Sequence, residues 1–94
     1  MLLTDNMHVE IIKQDSDYWN VPYDLVSDYG RRRKPFVLFL NGLLIIEHYD
    51  YSIVEQGEWD IYSNIEHRIV LEDGKKFKKG DRLVFVECGS VSIA

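Results

Sequence analysis

Between Phe36 and Ile53 the chain reads Phe-Val-Leu-Phe-Leu-Asn-Gly-Leu-Leu-Ile-Ile-Glu-His-Tyr-Asp-Tyr-Ser-Ile, with Asn41-Gly42 set between two apolar arms. Asn-Gly flanked by strand formers is the strongest short-range sign of a two-residue β-hairpin, because a type I′ turn needs φ > 0 at both central residues. A helix here is disfavoured by Gly42 and by the β-branched and aromatic content. The arms, Phe36–Leu40 and Leu43–Glu47, do not alternate apolar with polar, so both of their faces are expected to be covered by protein.

A second turn-to-strand signal follows at Lys79-Gly80-Asp81-Arg82, which leads into Leu83-Val84-Phe85-Val86-Glu87. Met7 to Lys13 reads as a strand with Met7, Val9 and Ile11 on one side and His8 and Glu10 on the other; Ile12 breaks the alternation. Gln14 to Asn20 is polar and turn-like, with Tyr18-Trp19 inside it. Tyr23 to Tyr29 fits either a short strand or one helical turn. Gly30 to Pro35 reads as a basic loop. Tyr51 to Glu55, Trp59 to Tyr62, Arg68 to Leu71 and Leu83 to Cys88 complete the strands, with turns at Gln56-Gly57-Glu58, Asp73-Gly74 and Gly89-Ser90. About seven short strands with turns roughly every eight to twelve residues predict a small antiparallel β-sandwich, with a small β-barrel as the alternative. Residues 1–94 are expected to form one domain.

The chemistry-bearing residues do not gather into a catalytic pattern. Glu47, His48 and Asp50 are close in sequence, but on an extended chain Glu47 and His48 point to opposite faces; Glu66-His67 has the same problem. His8, His48 and His67 lack paired metal-ligand spacing. Cys88 is the single cysteine, so no disulfide forms within the chain, and its place at the end of an apolar strand suggests a small buried hydrophobe. Gly74 and Gly80 flank Lys75 to Lys79 without the order of a phosphate-binding loop. No enzyme activity, metal or cofactor is expected.

Net charge is −5, yet Arg31, Arg32, Arg33 and Lys34 form one basic run and Lys75, Lys76, Lys78 and Lys79 another. Two basic loops on an acidic body suit an acidic partner, or serve as solvated turns. Nucleic acid is the least favoured partner, because the overall acidity repels a polyanion. Surface sugar is a further alternative, with Trp19, Trp59 and several tyrosines as stacking platforms and Arg31, Arg32, Arg33 and Lys34 as further candidate ligand contacts. The longest apolar stretch is too short to span a bilayer, and the first residues lack a basic-then-apolar secretory pattern, so a protein made in the cytoplasm is expected.

The order of apolar strand, Asn41-Gly42, Asp50-Tyr51-Ser52-Ile53, Ile69-Val70-Leu71 and Gly80-Asp81 before Leu83 to Val86 resembles a module of tailed bacteriophages. Such modules occur in tail fibres, baseplates and receptor-binding proteins. The resemblance covers Phe36 to Glu87. It implies a β-sandwich in a virion tail that works through contacts with other tail proteins or with copies of itself, in adhesion or structure. In the residues themselves, Asn41-Gly42 and Gly80-Asp81 reverse the chain, Asp50 can hold a local turn, and Tyr51 can pack its ring while its hydroxyl stays wet. Phe36, Leu38, Leu40, Leu43, Ile45, Leu83 and Phe85 are expected inside. Val37, Phe39, Leu44 and Ile46 are then surplus, and are expected against a second sheet or a neighbouring subunit.

Overall fold

A computed structural model describes residues 7–27, 32–57 and 65–88. Nine strands lie among them: β1 (Met7–Ile11), β2 (Trp19–Asn20), β3 (Val26–Ser27), β4 (Arg32–Arg33), β5 (Phe36–Leu40), β6 (Leu43–Ile45), β7 (Tyr51–Gln56), β8 (Glu66–Leu71) and β9 (Arg82–Glu87). The order β1-β9-β5-β6 makes a four-stranded sheet, β2-β8-β7 a three-stranded one, and β3-β4 a small ribbon. All strand pairs are antiparallel. The all-β expectation therefore holds, with two sheets sharing one core. Trp59 to Tyr62, Arg31 and the Gly89-Ser90 turn, all named above, lie outside the described residues.

The core joins both sheets. Leu38, Leu83 and Phe85 from the first meet Tyr51, Ile69 and Leu71 from the second, with Ile12, Val21, Leu25 and Phe77 from the connections. Phe85 stands edge-on to Phe36 at 5.2 Å between ring centroids. Full burial of each such side chain contributes about 1.5–3 kcal/mol, which is what a chain with one cysteine must rely on.

Asn41 (φ 51°) and Gly42 (φ 85°) both have positive φ, as a type I′ turn between β5 and β6 demands. Gly80 (φ 93°) occupies the third position of a turn closed by Asp81 N–H to the Lys78 carbonyl, 2.9 Å; glycine takes this conformation without strain. These two turns are clasped together. Asn41 Nδ2 donates to Asp81 Oδ1 (3.0 Å), the Arg82 amide donates to Asn41 Oδ1 (2.9 Å), and the Lys78 amide donates to Asp81 Oδ2 (2.8 Å). The hairpin loop is thereby tied to the entry of β9, its neighbour in the sheet. Replacing Asp81 with alanine removes both carboxylate acceptors, and a loss of about 1–2 kcal/mol is expected in urea unfolding. Asp81→Asn, which keeps one acceptor, should lose less.

Several expectations are corrected. Leu43, placed in the core from sequence, is 72% exposed, because it sits at the turn shoulder of an edge strand with no layer beneath it. The second arm stops at Ile45 rather than Glu47. The Gly30–Pro35 loop contains a strand: Arg32 and Arg33 pair with Ser27 and Val26. Tyr23 to Leu25 form one 3-10 turn before β3, so that segment holds both of the forms considered. Trp19 lies in β2 against Ile69 rather than in a turn. Cys88 is exposed, since it lies just past the end of β9.

Candidate functional site

Residues directly opposed across a sheet share a face, so the register assigns the two faces of the four-stranded sheet. His8, Phe85, Leu38 and Ile45 form one inward row, and Glu10, Leu83, Leu40 and Leu43 the next. The intervening rows point outward. They are Met7–Val86–Val37, then Val9–Val84–Phe39–Leu44, then Ile11–Arg82. Eight of the nine outward strand residues carrying these pairs are apolar, and Arg82 at one end is the exception.

This face is open among the described residues. Val9, Ile11, Val37 and Leu44, with Ile46 just past β6, are each 40% to 57% exposed. Phe39, Val84 and Val86 are partly exposed between them. The second sheet is built differently. Its outward residues are Asn20, Ser52, Gln56, Glu66 and Arg68, with Val54 and Val70 the two apolar ones among them, and Arg68 pairs with Glu66 at 3.0 Å. One antiparallel sheet thus has the usual polar outer face, and the other does not.

Four residues expected at an interface, Val37, Phe39, Leu44 and Ile46, belong to this patch. Sequence reasoning missed Met7, Val9, Ile11, Val84 and Val86 as their companions. The signal for β1 was present, since Met7, Val9 and Ile11 share a side, but a single strand does not say which side is wet.

A second feature opens where β1 faces β2 and β8, a cleft of about 600 Å³ lined by Glu10, Tyr18, Trp19, Asn20, Tyr23 and His67 among others. Trp19 Nε1 donates to Glu10 Oε1 at 2.9 Å, which links the two sheets across the opening. Arg68 lies over the Tyr18 ring at 4.3 Å, a cation–π contact that holds that ring at the rim. His67 is buried, with Nδ1 3.9 Å from Glu55 Oε1. Trp59 and Arg31, also considered as ligand contacts, lie outside the described residues.

The remaining sequence candidates are structural in their surroundings. Asp50 Oδ2 accepts from the Ile46 amide at 2.8 Å and so holds the β6–β7 turn. Tyr51 is buried, against the expectation of a wet hydroxyl. Burial pushes its phenol above the ordinary tyrosine value; the Glu47 carboxylate adds to the rise and the Arg33 guanidinium opposes it. Glu47 and His48 do approach, with Nε2 3.6 Å from Oε2, because His48 adopts φ 74° and leaves the extended geometry that separates neighbours. That pair lies on the surface. Of the basic runs, Arg33 reaches Glu47 (4.0 Å), Lys34 reaches Glu87 (3.9 Å) and Lys76 reaches Asp17 (3.3 Å). At least three of the seven described cations in these runs thus reach a carboxylate of the same chain. Among the described residues no three His, Cys, Asp or Glu side chains are grouped to hold a metal ion, and no helix is long and apolar enough to cross a membrane.

No family model, curated protein or solved structure matches this chain. The geometry is therefore what bears on function.

Proposed function

We infer that this protein is a non-catalytic component of a larger assembly and works by docking through the outer face of the β1-β9-β5-β6 sheet. The observation that carries this reading is the contrast between its two sheets, one with a mostly polar outer face and the other with apolar rows across all four strands. Exposed apolar patches of this kind mark interaction surfaces in soluble proteins. The resemblance of Phe36 to Glu87 to bacteriophage tail modules makes a tail or baseplate the assembly proposed, with other tail proteins or further copies as neighbours.

A second reading is favoured by the cleft. Trp19, Tyr18 and Tyr23 beside Glu10 and Asn20 combine aromatic walls with hydrogen-bonding groups, the composition suited to a sugar on a cell surface. Hydroxyl-radical footprinting compares the two. In purified virions that carry the chain, Val9, Ile11 and Leu44 should be oxidised several-fold less than in the isolated protein. A chain absent from the particles overturns the tail reading. Protection of Trp19 and Tyr23 by added oligosaccharide, with the sheet face unchanged in particles, would favour the cleft instead.

A further inference from the structure

We propose that the outer face of the four-stranded sheet is the contact between two copies of this chain, packed sheet on sheet about a two-fold axis. The proposal rests on the docking reading above and names its partner.

The area is the first argument. The exposed parts of Val9, Ile11, Val37, Leu44 and Ile46, with the partly exposed Met7, Phe39, Val84 and Val86, offer roughly 500 Å² per copy; a two-fold axis doubles this to about 1,000 Å², the lower bound of a specific interface. Charge is the second. The body carries a net −5, yet no carboxylate stands on the outward strand rows of this face, so two acidic copies can meet there without burying one. An anionic bilayer would call for a rim of cations, and the rows carry one, Arg82.

Geometry is the third argument. Val84 on β9 and Phe39 on β5 are paired at the middle of the patch, with Val9 and Leu44 flanking them in the same row. An axis through the centre sets Val84 and Phe39 against the same residues of the copy and brings the flanks together, as an isologous contact requires. Two sheets of the same twist pack aligned at about 10 Å with their side chains interdigitating. Each copy then supplies the layer that the other's outer face lacks among the described residues.

The test is mass by light scattering after size exclusion, from about 1 µM to about 200 µM, a range that brackets the affinities such an area gives. Reductant is kept present so that the exposed Cys88 does not link copies. The wild type should show twice the 11.1 kDa chain mass. Val84→Glu and Leu44→Glu should each halve the observed mass with an unchanged circular dichroism spectrum. Leu44 lies exposed on an edge strand, so its variant keeps the test valid if Val84→Glu unfolds.

A dimer that neither variant dissociates overturns the surface assignment, and a trimer or hexamer overturns the two-fold arrangement. A wild-type monomer at the highest concentration also overturns the proposal, and an apolar fluorescent dye then decides the reading beneath it. Dye bound by the wild type and lost in both variants leaves the face as a docking surface for another protein. Dye bound by none removes the docking reading as well.

Discussion

Leu38→Asp is expected to abolish folding, while Phe39→Asp, one residue along, should leave a folded chain. Leu38 is fully buried between Phe85 and Ile45 in the inward row. A carboxylate there has only Phe85 and Ile45 beside it in the row, with His8 a strand further away on β1, and burying an unpaired charge costs several kcal/mol. A small domain has only about 5–15 kcal/mol to lose. Phe39 points the other way, level with Val84 and Leu44, so its carboxylate reaches solvent in the isolated chain. The measurement is near-ultraviolet circular dichroism with urea unfolding on both variants. Unfolding of both would mean that the outer face is itself covered by the same chain, and the docking reading would fall with it. A folded Leu38→Asp would mean that the register is offset by one residue, which turns every side chain to the other face.

This contrast also explains how much was legible beforehand. The hairpin at Asn41-Gly42 and the β9 strand were readable because their signals are local, namely φ > 0 at two adjacent positions and a β-branched, aromatic run. The inward choice of Leu38, Leu83 and Phe85 agrees with the structure. The face of β1 was not legible. Its apolar residues point outward and its polar residues inward, and only the pairing of Val9 with Val84 and Glu10 with Leu83 decides it. In β9 each alternating set is two apolar residues and one charged end, Arg82 or Glu87, so the alternation carries no information about which side is wet. Leu43 misled because a strand's composition does not record that it lies at an edge.

The candidate sites were only partly visible for a related reason. Asn41 and Asp81 were singled out separately, each for its own turn, yet they bond to each other across 40 positions of sequence. Nothing local to either segment announces that bond. The cleft likewise depends on Glu10, a polar residue facing inward on β1, meeting Trp19 on β2 and His67 on β8. Trp19 was noted as a ligand candidate, but Glu10 was not, since a lone glutamate on a strand ordinarily faces water. Tertiary pairing, not propensity, builds both features.

Phe85→Ala is expected to cost about 3–5 kcal/mol, the range for deleting a buried aromatic ring, and so to consume much of the stability of a domain this small. Phe85 is fully buried on β9, with β1 on one side and β5 on the other. Both neighbours hold their ladders, so the space left by the ring collapses little, and the edge-on contact with Phe36 is lost as well. Phe77 is equally buried but sits in the connection between β8 and β9, held by reciprocal backbone bonds with Ser16. A connection relaxes more readily than a central strand, so Phe77→Ala should cost less than Phe85→Ala in parallel urea titrations. Equal costs would show that the connection is as rigid as the sheet. The comparison also bears on function, because Phe85 and Val84 are consecutive residues of one strand that face the core and the docking surface respectively. Loss of Phe85 should weaken any partner contact indirectly, by loosening β9. Val84→Glu should remove the contact while the strand stays in place. A partner that survives Val84→Glu but not Phe85→Ala would therefore be one that needs the fold and not this face.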